Sequence, residues 1–442
     1  MFLRSLKIRN IRSIHSLDLS FRVEESGRQW TYLLGENGTG KSSILRTIAL
    51  VMAGGEAIAE LIGEPDAWIR LGENNAEIAV EFATAENEQR SASVNFSRGD
   101  GVRLFLQKNE QALGQIDAAV EKAERNYFLV GYGVSRRASI DKLSSLSTAS
   151  PFRTLRAQSA ATLFSGDASL VSLEQWAMDL EYRRGETGLQ AVREAFNTLL
   201  PDVEFLGIDR EKRLLLFKTP DGDLPLSALS DGYQAMAAWC GDLLFRITET
   251  FKDQSNPLHA RGVLLIDELD LHLHPVWQRQ LVFFLKKTLP NFQVVVTTHS
   301  PLTVHQASEG ELFVLHRDKD KGISTQAFEG APNRLLLHQL IQSPLFGLET
   351  LDSPQVAAMR NELRELQKIG TGSLPDDASK QKIDELTEQL ADVPNWREVP
   401  TYLEQTNSVM EELARHLGTD PNDPNPLKTI AGQANRSLKR RR

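Results

Sequence analysis

The stretch "WTYLLGENGTGKSSILRTIALVM" (Trp30–Met52) decides the fold. An apolar run ends at Gly35, the octapeptide "GENGTGKS" (Gly35–Ser42) follows, and apolar residues then recur at helical spacing. Strand, loop and helix in that order form the setting in which G-x-x-x-x-G-K-[ST] binds phosphate. Gly35, Gly38 and Gly40 let the backbone turn its N–H groups toward phosphate oxygens, with Glu36, Asn37 and Thr39 completing the loop. Lys41 reaches the β- and γ-phosphates, the Ser42 hydroxyl ligates Mg²⁺, and Ser43 extends the anion-binding first turn of the helix. By residue frequencies such a match arises by chance about once per hundred chains of this length, and its setting lowers that further. ATP and Mg²⁺ are the expected ligands.

Two further apolar runs end in chemistry. "VLLIDE" (Val263–Glu268) is four apolar residues followed by two acids. A buried strand of this kind presents both carboxylates at the C-terminal edge of a parallel sheet, where α/β ligands bind. Asp267 is the candidate for the Mg²⁺ shell, through water, and Glu268 for the general base that polarises the attacking water. "VVVTTHS" ends a second such strand at His299, a candidate γ-phosphate sensor. A solvated strand end and a surface histidine are the plainer alternatives for these two segments.

"LSDGYQ" (Leu229–Gln234) has small and polar residues leading straight into an apolar helical pattern, a form that holds anions at a helix N-terminus. Alone it is also an ordinary turn. Phosphate loop, then this hexapeptide, then the acid-tipped strand, then the strand ending in histidine: that order resembles the ABC-type ATPases. The resemblance implies that Ser230, Asp231, Gly232, Tyr233 and Gln234 act in trans, capping the γ-phosphate held by the phosphate loop of a second copy, in a head-to-tail dimer at least. Tyr233 stands where many members have glycine, a departure found in the branch of SMC proteins, RecF and the overcoming-lysogenisation-defect ATPases.

"DELDLHLHPVWQRQL" (Asp267–Leu281) closely resembles PtuA-like ATPases of Septu and retron-associated anti-phage systems, and "SPLFGLETLDSP" (Ser343–Pro354) does so more loosely. "ELDLHLHP" is then the loop that crosses the dimer interface. Its His272 and His274, two apart, are also candidates for a metal pair. The specific motifs cover residues 1–50 and 224–302. Where the family carries a polar residue after a strand, "FLVGYGVSRR" (Phe128–Arg137) lacks glutamine. Tyr132 and Arg136 are the candidate substitutes, against a plain buried strand and solvated loop.

Composition bounds these readings. The chain has 442 residues, 41% hydrophobic and 25% charged, with a formal net charge of −9. That charge argues against a generally DNA-coating protein while leaving local basic patches such as Lys439–Arg442. No apolar run approaches the ~18 residues of a membrane span. "MFLRSLKIRNIRS" reads as an amphipathic strand and not a signal peptide. The single cysteine, Cys240, excludes an internal disulfide, reads as a buried thiol beside Trp239, and fits a reducing cytoplasm.

The pattern predicts an α/β ATPase head over residues 1–330. Its nucleotide core spans about 1–55 and 205–330, with an inserted strand and helix lobe over about 56–204. Within that lobe, "AEIAVEFA", "SASVNFS" and "GVRLFLQ" read as short antiparallel strands. Residues 331–442 read as charged amphipathic helices, a docking region for a partner or for further copies. Residues 43–228, which separate phosphate loop from hexapeptide, are too few and too mixed for the coiled-coil arms of SMC proteins. The metal-binding nuclease domain of the overcoming-lysogenisation-defect proteins is not expected either, because Asp318 and Asp320 fall in a hairpin turn and helices follow.

Two functions remain on the sequence alone. One is a slow regulatory ATPase of an anti-phage system that controls a separate effector such as an HNH nuclease. The other is a RecF-like DNA-repair ATPase that binds nucleic acid directly.

Overall fold

The computed structural model describes residues 2–136, 152–391 and 393, except 24–25, 85–87, 123–127, 201–202, 252–256, 272, 319–321, 347, 349 and 370–376. The chain divides into two compact units, Met1–Gly347 and Leu348–Arg442.

The first unit opens with β1 (Phe2–Ile11) and β2 (Ile14–Ser20), an antiparallel hairpin. Alternation writes it: Leu6, Ile8, Leu17 and Leu19 are buried while the residues between them face outward. The turn takes two residues in left-handed backbone, Asn10 (φ 52) and Arg12 (φ 50). The short ladder β3 (Arg22–Val23) and β4 (Ser26–Gly27) leads into β5 (Trp30–Gly35). Then come α1 (Lys41–Met52) and α2 (Gly55–Leu61). β6 (Asn75–Ala83) and β7 (Gln89–Ser97) complete a four-stranded antiparallel sheet in the order β2-β1-β6-β7.

The third strand expected in this lobe is not one. "GVRLFLQ" forms α3 (Val102–Lys108), followed by α4 (Glu110–Lys122). Phe105 is fully buried, Val102 and Leu106 pack beside it, and Leu104 is 43% exposed. That is a helical stripe at i, i+3 and i+4, which a run of alternating apolar residues imitates over so short a length.

β8 (Leu129–Tyr132), α5 (Leu155–Phe164) and α6 (Leu173–Leu199) follow. Gly185 interrupts α6 with non-helical φ 61 and ψ −152. A meander of β9 (Glu204–Asp209), β10 (Leu214–Thr219) and β11 (Gly222–Pro225) leads to α7 (Asp231–Thr250). The unit then runs through β12 (Gly262–Ile266), α8 (Pro275–Thr288), β13 (Phe292–Thr298), α9 (Pro301–Val304), β14 (Leu312–Asp318), β15 (Gly322–Ala327) and α10 (Leu337–Gln342). Asp318 ends β14, and Asp320 lies outside the described residues.

The central sheet has the order β15-β14-β5-β13-β12-β8, parallel except for the edge pair β14/β15. Its inner strands are apolar on both faces and divide two cores between them. Tyr32, Leu34, Leu264, Ile266, Val294 and Val296 join a core with residues of α6, α7 and α8. Leu33, Val263, Leu265 and Val295 join the other, with α1, α5 and the antiparallel sheet. Each such side chain, once buried, contributes about 1.5–3 kcal/mol relative to exposure. Cys240 is buried in the first of these cores.

Register sets the site. Thr298 pairs with Leu34, Ile266 with Val296, and Ile266 with Tyr132. The residues just past β5, β12, β13 and β8 therefore leave the sheet side by side at its C-terminal edge.

The second unit contains α11 (Pro354–Ile369) and α12 (Asp377–Leu390), packed on each other. Arg360 pairs with Asp352 at 3.5 Å. The third helical pattern, "YLEQTNSVMEELARHL", and the basic end Lys439–Arg442 lie outside the described residues. No helix among the described residues is long and apolar enough to cross a membrane.

Candidate functional site

The loop between β5 and α1 has the backbone of a phosphate cradle. Gly38 (φ 80) and Gly40 (φ 84) sit in the left-handed region that glycine alone enters freely. A Cβ on Gly35 would lie 2.8 Å from the Leu315 carbonyl oxygen and 2.8 Å from Thr39 Oγ1, so that position admits no side chain. Thr39 Oγ1 donates to the Glu36 carbonyl at 2.8 Å and braces the loop. Glu36, Asn37 and Gly38 are exposed, and Ser42 and Ser43 are half-buried in the first turn of α1.

Lys41 folds back over this loop. Its Nζ donates to the carbonyls of Gly35 (2.8 Å) and Glu36 (3.0 Å) and lies 2.8 Å from His299 Nε2. Desolvation lowers the pKa of Lys41, opposed by the carboxylates of Glu268, Asp267 and Asp270. His299 is lowered as well, first by desolvation and then by Lys41. The histidine is therefore neutral near pH 7, and Nε2 accepts from the ammonium while the proton sits on Nδ1. Glu268 Oε1 lies 4.0 Å from the same Nε2.

The acidic pair is pinned from both sides. Asp267 is 3% exposed, and its Oδ1 accepts from Thr297 Oγ1 at 2.7 Å. The same hydroxyl accepts from the Glu268 N–H at 2.7 Å, and the Leu269 N–H donates to the Thr297 carbonyl at 2.9 Å. Arg136 Nη2 donates to the Asp267 carbonyl at 3.0 Å and also to the Glu268 carbonyl. Glu268 itself has φ 48, a left-handed conformation that costs a non-glycine residue about 1–3 kcal/mol. A hydrogen bond from a charged donor contributes about 1.5–3 kcal/mol, enough to offset that strain. One strand over, Thr298 Oγ1 donates to Asp270 Oδ1.

The structure thus brings Lys41, Asp267, Glu268 and His299 into one cluster at the sheet edge. Residues 230–234 are not part of it. Ser230 holds the N-cap position of α7 with no capping bond from its side chain, and is exposed with Asp231. Gln234 Nε2 donates to the Leu229 carbonyl at 2.8 Å. Tyr233 meets Trp277 of α8 edge-on, with ring centroids 4.4 Å apart. A Cβ on Gly232 would stand 2.8 Å from Trp277 Cζ3.

Thr297, Asp270 and the backbone role of Arg136 are absent from the sequence reading. Their one visible signal is polarity at the end of an otherwise apolar strand, the "TT" of "VVVTTHS". Tyr132, a candidate for the polar residue after its strand, faces elsewhere: it is buried and its hydroxyl donates to Asp242 Oδ2 at 2.7 Å. Of the two histidines considered as a metal pair, His272 lies outside the described residues. His274 is exposed, and its Nδ1 caps α8 by accepting from the Val276 N–H at 3.4 Å. Among the described residues no cluster of three or more His, Cys, Asp or Glu has the arrangement of a metal site. The buried carboxylate of Asp267 past β12 and the Ser42 hydroxyl in the first turn of α1 are instead oxygen donors of the kind Mg²⁺ takes, few in number alongside substrate phosphates.

The family model described as "AAA domain, putative AbiEii toxin, Type IV TA system" matches residues 31–305. The chain belongs to this family. The match takes in every member of the cluster. The Septu protein PtuA of Bacillus mycoides (strain KBAB4) is 26% identical over 350 residues, 78% of this chain and 45% of that protein. The retron Ec83 probable ATPase of Escherichia coli is 32% identical over 154 residues, 35% of this chain and 28% of that protein. The chain thus spans less than half the length of either relative. A solved SMC head bound to the C-winged helix domain of ScpA aligns with 74% of this chain and 98% of its own, at 16% identity and a TM-score of 0.46. The likeness to PtuA-like ATPases read from the motifs therefore extends well beyond them.

Proposed function

We propose that this protein binds and hydrolyses ATP at sites completed by a second copy of itself, and that it serves as the regulatory subunit of an anti-phage defence system controlling a separate effector nuclease. The observation that carries the enzymatic part is the convergence of Lys41, His299 and Glu268, at 2.8 Å and 4.0 Å, beside a glycine cradle. Lys41 now rests on two loop carbonyls, and a phosphate offers its ammonium a stronger, charged acceptor. Ser42 and, through water, Asp267 would hold Mg²⁺, which supplies neutralisation of phosphate charge. Glu268 takes the proton from the attacking water as its general base. His299, neutral and able to accept or donate at Nε2, follows the γ-phosphate position. The exposed start of α7 supports the part assigned to the second copy, since Ser230 is free to meet a surface outside its own chain. The defence role is supported by the relatives named above, and the effector is a partner such as an HNH nuclease.

Two variants test the enzymatic core. Lys41→Ala should abolish ATP binding by calorimetry. Glu268→Gln keeps the shape but accepts no proton, so ATP should still bind while turnover falls by about 10²-fold or more. Unchanged affinity in the first, or full turnover in the second, refutes the assignment.

A further inference from the structure

Glu268 is held in an unfavourable backbone conformation at the residue whose carboxylate must be aimed. Its N–H is fixed by the Thr297 hydroxyl at 2.7 Å. Its carbonyl, and the Asp267 carbonyl 3.0 Å away, both converge on Nη2 of one guanidinium. Arg136 comes from the segment just past β8, far from β12 in sequence but next to it in the sheet. We infer that Arg136 is a positioning residue for hydrolysis: it clamps the 267–268 backbone so that the left-handed turn at Glu268 persists and its carboxylate points toward the Lys41–His299 pair.

Chemistry favours arginine in this place. A partly buried pair of backbone carbonyls suits a donor that keeps its charge with little water around it, and a guanidinium is weakly hydrated and always protonated at neutral pH. Desolvation lowers the pKa of Arg136 to about 10, which still leaves it cationic. The guanidinium carbon also lies 5.8 Å from the ring centroid of Trp239. Trp239 belongs to α7, the helix that opens at Ser230, so the clamp joins the base to the element offered to the second copy. A shift of α7 on assembly would reach Glu268 through this contact.

The inference rests on Glu268 being the general base, and the experiment separates the two ideas. Arg136→Gln removes the charge, and Arg136→Lys keeps it on a shorter chain whose ammonium stops short of the place where Nη2 meets both carbonyls. Steady-state kcat and ATP affinity are measured for each, alone and combined with Glu268→Gln. The expected result is a kcat lowered about tenfold or more in Arg136→Gln, with affinity within about twofold of the parent and Arg136→Lys intermediate. In the Glu268→Gln background the Arg136 change should add less than about twofold in single-turnover hydrolysis, because both act through one group. A kcat within twofold of the parent, a parallel loss of affinity, or an undiminished effect in the Glu268→Gln background overturns the clamp. Full turnover in Glu268→Gln alone refutes the base assignment instead. Should Arg136→Gln not fold, Arg136→Lys decides: a kcat lowered about threefold or more at unchanged affinity supports the clamp, and an unchanged kcat overturns it.

Discussion

Single residues at this site are set against their own preferences. Glu268 takes a backbone conformation that suits glycine, and His299 sits beside an ammonium that disfavours its protonation. The second fact makes a stability prediction with a definite sign. The folded protein holds the His299 pKa below its ordinary value, so the unfolded chain takes up that proton first as pH falls. The contribution of His299 is complete above the ordinary histidine range and is lost below it. The melting temperature of the nucleotide-free protein should therefore fall between about pH 7.5 and 5.5, and His299→Gln should make that fall smaller. An identical fall in both proteins would show that His299 is not perturbed. The residues named from sequence were those whose chemistry is contiguous: the glycine loop with Lys41, the Asp267–Glu268 pair, and the terminal His299. Thr297 and Arg136 were not legible in these roles, because each acts through a partner supplied by strand register. No local pattern records that residue 136 will lie beside residue 268.

At the scale of elements, buried parallel strands announced themselves as unbroken apolar runs, and the β1–β2 hairpin as alternation. α3 is not legible as a helix from its sequence, because seven residues with one fully buried side chain satisfy either period. The start of α7 shows how packing adds what periodicity cannot. Gly232 looks like one residue of a phosphate-binding turn, yet a Cβ there would press to 2.8 Å on the Trp277 ring. That ring is 9% exposed and is also met by Tyr233, so it has little room to give. Gly232→Ala gains about 0.5–1 kcal/mol in helix propensity but incurs an overpacking cost of about 1–3 kcal/mol. The clash should win, lowering the melting temperature by about 1–2 °C for each kcal/mol of net loss. A raised melting temperature would mean that α8 yields and that the α7–α8 contact is soft.

For the whole molecule, the arrangement within one chain sets a geometric demand. The cluster of Lys41, Asp267, Glu268 and His299 lies at one sheet edge, while Ser230 opens α7 on an exposed surface. If the γ-phosphate is capped by Ser230 of another copy, two chains must pair so that each lends its helix start to the other's loop, as an isologous two-fold contact requires. Ser230→Arg should then spare ATP binding and block hydrolysis, because the added side chain obstructs the partner's phosphate and leaves its own loop intact. Lys41→Ala fails for the opposite reason. In a mixed dimer of these two inactive chains, one site unites an intact Lys41 with an intact Ser230, and the other has neither. Equal mixing gives half mixed dimers with one working site of two, so about one quarter of the parent activity should return. Affinity tags on the two chains would show that mixed dimers form. Mixed dimers without activity would place the two motifs in separate tasks and confine hydrolysis to a single chain.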